Sequence, residues 1–275
     1  MRAAVKSLPM APDDNPLGSF LRSRRERIDP ASAGVVDSTR RRVTGLRREE
    51  LALLAGLSPS YYTRLEQGRD RHPSREILQA LAHALRLDDT ERAYLWSLTT
   101  PPLSPADTAP AHTVRPGVLT LLDRWTDLPA FVVAPNRDVL AATALATRLN
   151  PAWSPGHNLI EFTFLDPRAP EVYPDWTDIA QQAVAGLRAT SGARGAELDP
   201  FVASMRERSE TFRALWDSHD VYDRVTGDKR LRVDGIGIVR LSFETFAVAG
   251  PEGHMLYVYF PQPGSADDRA LRSLT

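Results

Sequence analysis

The segment from Arg48 to Arg69, REELALLAGLSPSYYTRLEQGR, carries side chains that can hydrogen-bond to base edges and phosphates. An arginine can donate two hydrogen bonds to O6 and N7 of guanine, so Arg64 is predicted to contact a base. An ion pair with Glu66 or a phosphate contact is the alternative, and Glu66 is interpreted as the structural partner of a nearby arginine. The second half of this segment is expected to form a helix. Its outward positions are expected to be Pro59, Ser60, Thr63, Arg64 and Gln67.

Two residues at the start of that helix lie where base edges are closest. Ser60 can bond a base or a phosphate, and Pro59 can pack on a thymine methyl group; capping of the helix alone is the alternative for both. Arg48 opens the preceding helix, where the positive end of the helix dipole favours a phosphate. The Tyr61 hydroxyl is predicted to reach a phosphate, unless its ring and that of Tyr62 only pack.

An arginine cluster upstream, Arg40, Arg41 and Arg42, lies in a long loop between two predicted helices. It can reach phosphates or a narrow minor groove, although a run of charge is more often a solvated face. Residues 18–75 hold 13 arginines, no lysine and 7 acidic residues, a net charge of +6, whereas residues 100–275 carry 17 basic and 22 acidic side chains. This asymmetry indicates nucleic-acid binding on the N-terminal side only.

Two helices joined by a tight turn must position these side chains. The small residue Ala52 allows the helices to cross closely, and Gly56 is predicted to adopt the left-handed conformation that the turn needs. Tyr62 and Leu65, three residues apart, are expected to face the core. The outward positions are then short or polar, as a helix that enters the major groove requires.

The run Arg-Leu-Glu-Gln-Gly-Arg at 64–69 resembles the end of the third helix in Xre/Cro-type helix-turn-helix proteins. The longer stretch GLRREELALLAGLSPSYYTRLEQGRDRHPS at 45–74 is similar to the N-terminal domain of MmyB-like regulators. The same family is matched by later runs, among them Asp138-Val139-Leu140-Ala141, Tyr173-Pro174-Asp175-Trp176, Leu215-Trp216 and Pro263-Gly264-Ser265. The resemblance covers about residues 17–275.

This resemblance implies a DNA-binding domain followed by a PAS-like domain that binds a small, fatty-acid-like ligand. It also implies phosphate contacts at Gln67 and Arg69, for which simple solvation is the alternative. Two departures from the family are predicted to reshape the ligand pocket. The chain has Ala142-Thr143 where the family has Trp-Asn, and Val233-Asp234 where the family has His-Pro.

The predicted fold class is multidomain, with an all-α, lambda-repressor-like helix-turn-helix domain followed by an α+β PAS-like domain. Prolines stop any helix between the two domains. The predicted divisions are a flexible tail at 1–16, the helical domain at 17–99, a proline-rich linker at 100–113, the ligand-binding domain at 114–265 and a C-terminal tail or short helix at 266–275.

Hydrophobic periodicity predicts the elements of the second domain. Helices are expected near 118–125, 176–187 and, less regularly, 201–216. Strands are expected at 130–134, 138–142, 238–245 and 255–260, the last two forming a hairpin through the turn at 249–253.

Aromatic side chains are expected to line the ligand site, because such sites are apolar with few polar anchors. The candidates are Phe131, Phe162, Phe164, Trp176, Phe212 and Trp216. His219 or Arg232 is the candidate anchor for a carboxylate.

Composition argues against other chemistries. The chain has no cysteine, which excludes disulfides, thiolate metal sites and cysteine nucleophiles. Its six histidines show no HxxxH or HExxH spacing, and the motifs GxGxxG, GxxxxGK[ST] and GxSxG are absent. We therefore expect neither an enzyme nor a metal site, and no cofactor apart from a bound fatty acid or other small apolar ligand.

The predicted function is a transcription regulator that binds double-stranded DNA as a homodimer. One domain of this type reads about half a site, so a two-fold symmetric operator is expected. No run of 18 apolar residues occurs and residues 1–10 lack a signal-like stretch, which predicts a cytoplasmic protein without membrane contact. The alternative is a protein-interaction or antitoxin-like adaptor that keeps the scaffold without binding DNA.

Overall fold

The computed structural model describes residues 15–35, 45–99, 112–222, 225–250 and 252–274. Contacts divide the chain into two compact units, Met1–Thr100 and Pro101–Thr275. Most of the predicted tail and linker lies outside the described residues, as do Arg40, Arg41 and Arg42.

The described part of the first unit is built from helices. They are α1 (Pro16–Arg27), α2 (Arg48–Leu54), α3 (Pro59–Glu66), α4 (Arg75–Ala84) and α5 (Asp89–Ser97). Ser58, Ser74 and Asp88 cap α3, α4 and α5, because each side chain accepts a hydrogen bond from the backbone N–H three residues on. Such caps satisfy donors that the first turn of a helix leaves unpaired.

The core of this unit is formed by the apolar side of each helix. Phe20, Leu51, Tyr62 and Leu65 are fully buried, as their spacing predicts. Leu54 of α2, by contrast, is 41% exposed. The reason is that α2 has only seven residues and packs on α3, so it buries one narrow face.

The second unit mixes helices and strands, which confirms the predicted fold class for the chain. Its elements are α6 (Pro116–Arg124), β1 (Ala130–Val133), β2 (Val139–Ala142), α7 (Ala144–Leu149), α8 (Leu159–Leu165), α9 (Ala169–Val172), α10 (Trp176–Arg208), α11 (Glu210–Asp217), β3 (Thr226–Val233), β4 (Gly237–Ala247), β5 (Met255–Phe260) and α12 (Ala266–Arg272). A 3-10 turn, Pro151–Trp153, follows α7.

The strands that the structure describes form an antiparallel sheet in the order β2-β1-β5-β4-β3. β5 is the central strand and forms a hairpin with β4, as predicted. β3 is a strand that the sequence analysis missed. It pairs with β4 from Thr226 opposite Glu244 to Val233 opposite Gly237.

The helix predicted at 201–216 is not continuous. Instead, α10 runs to Arg208, the backbone becomes extended at Ser209 and α11 begins at Glu210. The Ser209 hydroxyl accepts a hydrogen bond from the backbone N–H of Phe212 at 3.2 Å. A capping serine at this point ends one helix and starts the next.

Apolar side chains pack against both faces of the sheet. On the inner face, Phe131, Trp153 and Tyr259 belong to a core that α7, α8, α9 and the start of α10 cover. Leu271 of α12 joins this core. On the outer face α6 packs over β1 and β2. A further cluster around Phe212 joins α8, α10 and α11 and contains no strand residue.

Candidate nucleic-acid interface and ligand cavity

α3 presents a largely polar face to solvent and an apolar face to the core. Its exposed residues and the one that follows it are Pro59, Ser60, Arg64 and Gln67. Thr63, the fifth expected outward position, is half-buried, and its hydroxyl donates to the Pro59 carbonyl at 2.8 Å.

The turn between α2 and α3 has the predicted geometry. Gly56 has a φ of +66°, a left-handed conformation that strains residues with a side chain. The backbone N–H of Leu57 donates to the Ala52 carbonyl at 2.8 Å, and Ala52 is fully buried. The turn therefore sets the direction in which α3 leaves α2.

Glu66 links three helices from the inside. Its carboxylate is fully buried and accepts hydrogen bonds from Nε of Arg25 on α1, at 2.7 Å, and from Nε of Arg48 on α2, at 2.5 Å. Burial alone would raise the pKa of Glu66, but the hydrogen bonds from these arginines outweigh it and hold that pKa below its usual value. This brace, Glu66 with Arg25 and Arg48, keeps α3 in place relative to α1 and α2.

Arg64 does not share in this brace. Its guanidinium carbon lies 5.2 Å from the centroid of the Tyr61 ring, and its side chain is exposed. Glu66, the alternative partner weighed for Arg64, instead serves the arginines of α1 and α2. Within the described residues, Arg64 is thus a cation available to an outside partner.

The candidate phosphate contacts lie around the same helix. The Arg48 side chain is 44% exposed although its Nε bonds Glu66. Gln67 and Arg69 are exposed, and Tyr61 is half-buried. Burial, together with the charge of Asp70, raises the pKa of Tyr61, so its hydroxyl stays protonated at neutral pH and can donate to a phosphate oxygen.

The second unit holds a cavity of about 100 Å³ between the inner face of the sheet and α8 and α10. Its lining is mainly aromatic and aliphatic, with two cations among the polar groups. The lining residues are Phe131, Arg137, Trp153, Leu159, Ile160, Thr163, Tyr173, Ile179, Gln182, Ala183, Gly186, Lys229, Phe243, Tyr257 and Tyr259.

Lys229 of β3 places its ammonium among aromatic rings in this cavity. Nζ lies 5.6 Å from the ring centroids of Tyr173 and Tyr259 and 6.0 Å from that of Phe243. At these distances the ammonium forms cation–π interactions with the rings, and their attraction partly replaces the hydration that the charge has lost. Burial nevertheless lowers the pKa of Lys229 to about 8.

Arg137, in the turn between β1 and β2, is the second cation. It is buried, and its Nη2 donates to the Gly186 carbonyl at 2.8 Å and to the Thr190 hydroxyl at 3.1 Å, both on α10. These bonds fix the guanidinium at the cavity wall.

Most of the sequence-predicted ligand residues lie elsewhere. Phe131 lines the cavity, and Phe162 packs edge-on against the lining residue Tyr173 at 5.8 Å between centroids. A separate aromatic cluster holds Phe164, Trp176, Phe212 and Trp216. His219 follows α11, outside the lining set, with a φ of +56°.

Arg232, the other predicted anchor, is exposed and lies on the opposite face of β3 from Lys229. Side chains alternate between faces along a strand, so positions 229, 231 and 233 share the inner face and 232 points away. Lys229 was not predicted as a ligand residue because β3 was not predicted as a strand. The signal available in the sequence was an alternation, because Lys229, Leu231 and Val233 occupy every second position and the residues between them are charged.

The four positions that depart from the family pattern do not line the cavity. Thr143 is a buried helix cap whose hydroxyl accepts from the Ala130 N–H and donates to the Leu128 carbonyl. Val233 is a core residue beneath the sheet. The predicted reshaping of the pocket would require these side chains to contact the cavity wall, and none of the four lines it.

A second, polar cavity of about 290 Å³ adjoins the first at Gln182. Its lining residues are Asp175, Asp178, Gln181, Gln182, Tyr222 and Asp228. Asp175 is paired with Arg230, and Asp228 with Arg240. Two of its three carboxylates thus already have counter-charges.

In the described ranges, no group of three histidine or acidic side chains is placed to hold a metal ion. None of the helices there combines the length and apolar character that a membrane crossing needs.

Comparison with protein families finds two matches. Residues 114–274, more than half of the chain, match the MmyB-like transcription regulator ligand binding domain. Residues 16–95 match a helix-turn-helix domain. Comparison with curated proteins finds no match.

Proposed function

The chain belongs to the MmyB-like transcription regulators, DNA-binding proteins with a ligand-sensing domain, and from that premise we propose that it is a one-component regulator. In this proposal residues 17–99 of the first unit read an operator through α3. Residues 114–265 of the second unit, with α12 packed beside them, hold a small ligand whose binding alters the affinity for DNA. The observation that carries the proposal is the exposed guanidinium of Arg64, which has no ion-pair partner among the described residues and lies on a helix that the buried Glu66 brace holds in place.

The roles on the DNA side follow from position and exposure. Arg64 contacts a base, and Ser60 and Pro59 approach base edges at the start of α3. Phosphate contacts are assigned to Arg48, Tyr61, Gln67 and Arg69, with Thr63 at the edge of the interface.

A homodimer on a two-fold operator completes the proposal. A single recognition helix spans about half of a typical site, and two-fold related helices fit half-sites one helical turn apart. A dimer that neutralises about ten phosphates would show a slope of log K against log salt near −9.

The competing candidate is an adaptor that keeps the scaffold without binding DNA. Exposed Arg64 and Arg69 beside the exposed Ser60 favour the regulator, because an adaptor has no need for cations along the outward face of α3.

A mobility shift with random-sequence duplex DNA separates the two candidates. The regulator binds at low ionic strength, loses affinity steeply as salt rises, and loses sequence preference in Arg64→Ala. Arg92→Ala is the matched control, since Arg92 is an exposed arginine of α5 that pairs with Asp89. Absence of binding at low salt, or equal preference in the Arg64 and Arg92 variants, contradicts the proposal.

A further inference from the structure

The cavity of the second unit has an unbalanced charge. Lys229 and Arg137 both line it, and no aspartate or glutamate is among the lining residues. In the described part of the chain neither cation forms an ion pair, and Nζ of Lys229 has no hydrogen-bond partner. Placing a cation in an apolar site without a counter-charge is unfavourable, so a site built this way favours an anion as its occupant.

The three carboxylates of the polar cavity beyond Gln182 lie outside the lining of this one, and that of Asp178 is exposed to solvent. Those of Asp175 and Asp228, in the polar cavity beyond Gln182, are engaged by Arg230 and Arg240. The three donors of the Lys229 ammonium therefore remain for a ligand.

The walls and the volume restrict the rest of the ligand. The rings of Phe131, Trp153 and Tyr257 offer apolar and aromatic contact. A cavity of about 150 Å³ accommodates benzene, and clefts for drug-sized ligands start at about 300 Å³. At about 100 Å³ this cavity is smaller than one that encloses benzene, but it is partly open to solvent. A single ring or a short chain therefore fits with part of it at the opening, whereas the enclosed volume is too small for a long acyl chain.

We infer that the second unit binds a small monocarboxylate with one aromatic ring or a short alkyl chain, whose carboxylate pairs with Lys229 while Arg137 adds positive potential. The inference rests on the proposed ligand-sensing function and names the chemical class of the ligand. Within that class, the acid group fixes orientation and the ring or chain fills the aromatic wall.

The test is titration calorimetry of the full-length protein at pH 7 with benzoate, its neutral analogue benzamide, and hexadecanoate. Benzoate is expected to bind and benzamide to bind more weakly. Lys229→Met should weaken benzoate at least about 30-fold, the size expected when a buried charge pair loses one partner. Arg232→Met is the matched control, because it removes a cation three residues away on the outer face of β3 and should leave benzoate affinity unchanged.

Three results would overturn the inference. They are no binding of benzoate to the wild-type protein, equal affinity in Lys229→Met, and tighter binding of hexadecanoate than of benzoate. If circular dichroism shows that Lys229→Met is unfolded, Lys229→Gln takes its place in the same comparison. A mobility shift on the same preparations separates the two proposals, since DNA binding without benzoate binding refutes only the ligand class, and benzoate binding without DNA binding refutes only the regulator.

Discussion

Replacing Lys229 by methionine is expected to stabilise the second unit at pH 7, although it removes the proposed ligand anchor. Methionine keeps an unbranched apolar stem against the rings of Tyr173 and Tyr259 and omits the ammonium. Burial lowers the pKa of Lys229 from 10.5 to about 8, which means that the folded state holds the proton less tightly than the unfolded state.

The sign and the size of this change in stability follow from proton linkage. Below pH 8 both states are protonated and the folded state bears the full cost of the buried charge. Between pH 8 and 10.5 the unfolded state binds more protons, so the contribution of Lys229 to stability becomes less unfavourable as pH rises. At about 1.4 kcal/mol per pH unit, the lowering from 10.5 to about 8 gives about 3 kcal/mol as an upper limit for the gain in Lys229→Met at neutral pH. Lys229 is half-buried, so solvent in the cavity reduces this figure.

Thermal unfolding of wild type, Lys229→Met and Arg232→Met at pH 7 and pH 10 measures this effect. For a unit of this size about 1 kcal/mol shifts the midpoint by 2–4 °C. Lys229→Met should unfold several degrees above wild type at pH 7, and the gap should narrow at pH 10, while Arg232→Met follows wild type at both. Adding benzoate should raise the midpoint of wild type and of Arg232→Met only.

A Lys229→Met variant less stable than wild type at pH 7 would contradict a net cost of the ammonium in the cavity. It would show that the aromatic rings more than compensate the ammonium for its lost hydration, and that the cavity needs no anion. A gap that stays constant between pH 7 and pH 10 would contradict the assigned pKa.

Three further variants probe the first unit. Glu66→Gln deprives the buried Arg25 of its counter-charge and is expected to lower the free energy of unfolding by about 3–5 kcal/mol, read from the urea midpoint; an unchanged midpoint would contradict the brace. Gly56→Ala should lower the free energy of unfolding by about 1–2 kcal/mol through left-handed strain alone, because nothing lies within 4 Å of the added methyl group. Equal stability of this variant and wild type in the same urea assay would contradict the left-handed turn. Arg69→Ala should weaken all DNA sites alike and reduce the salt slope by about 0.9 in fluorescence anisotropy, whereas a loss confined to one sequence would indicate a base contact.

The first unit could be predicted well because its signals are local. Caps at Ser58 and Ser74, a left-handed Gly56 and apolar residues at helical spacing each act within one turn or one helix. The 41% exposure of Leu54 could not be predicted in the same way, because periodicity gives the apolar face of a helix but not its width, which depends on what packs against it.

The second unit was harder because its key features depend on distant partners. β3 reads TGDKRLRV, a polar run typical of a loop, and becomes a strand by pairing along β4. A lysine on its inner face could not be recognised before that strand was known.

The presence of an aromatic side chain also does not distinguish residues of the core from residues that line the cavity. Phe212 and Trp216 stack at 5.8 Å and fill their own space, whereas Phe131 faces an opening. The difference arises from how α10 and α11 pack, which composition does not encode.

The most direct test of the account is the sequence selected by the full-length protein from a randomised pool of duplex DNA, compared with that selected by Arg64→Ala. The account predicts a two-fold symmetric motif for the wild type and the loss of a guanine preference in each half-site for the variant. No enrichment by the wild type, or the same motif with the same guanines selected by Arg64→Ala, would contradict the placement of α3 in the major groove.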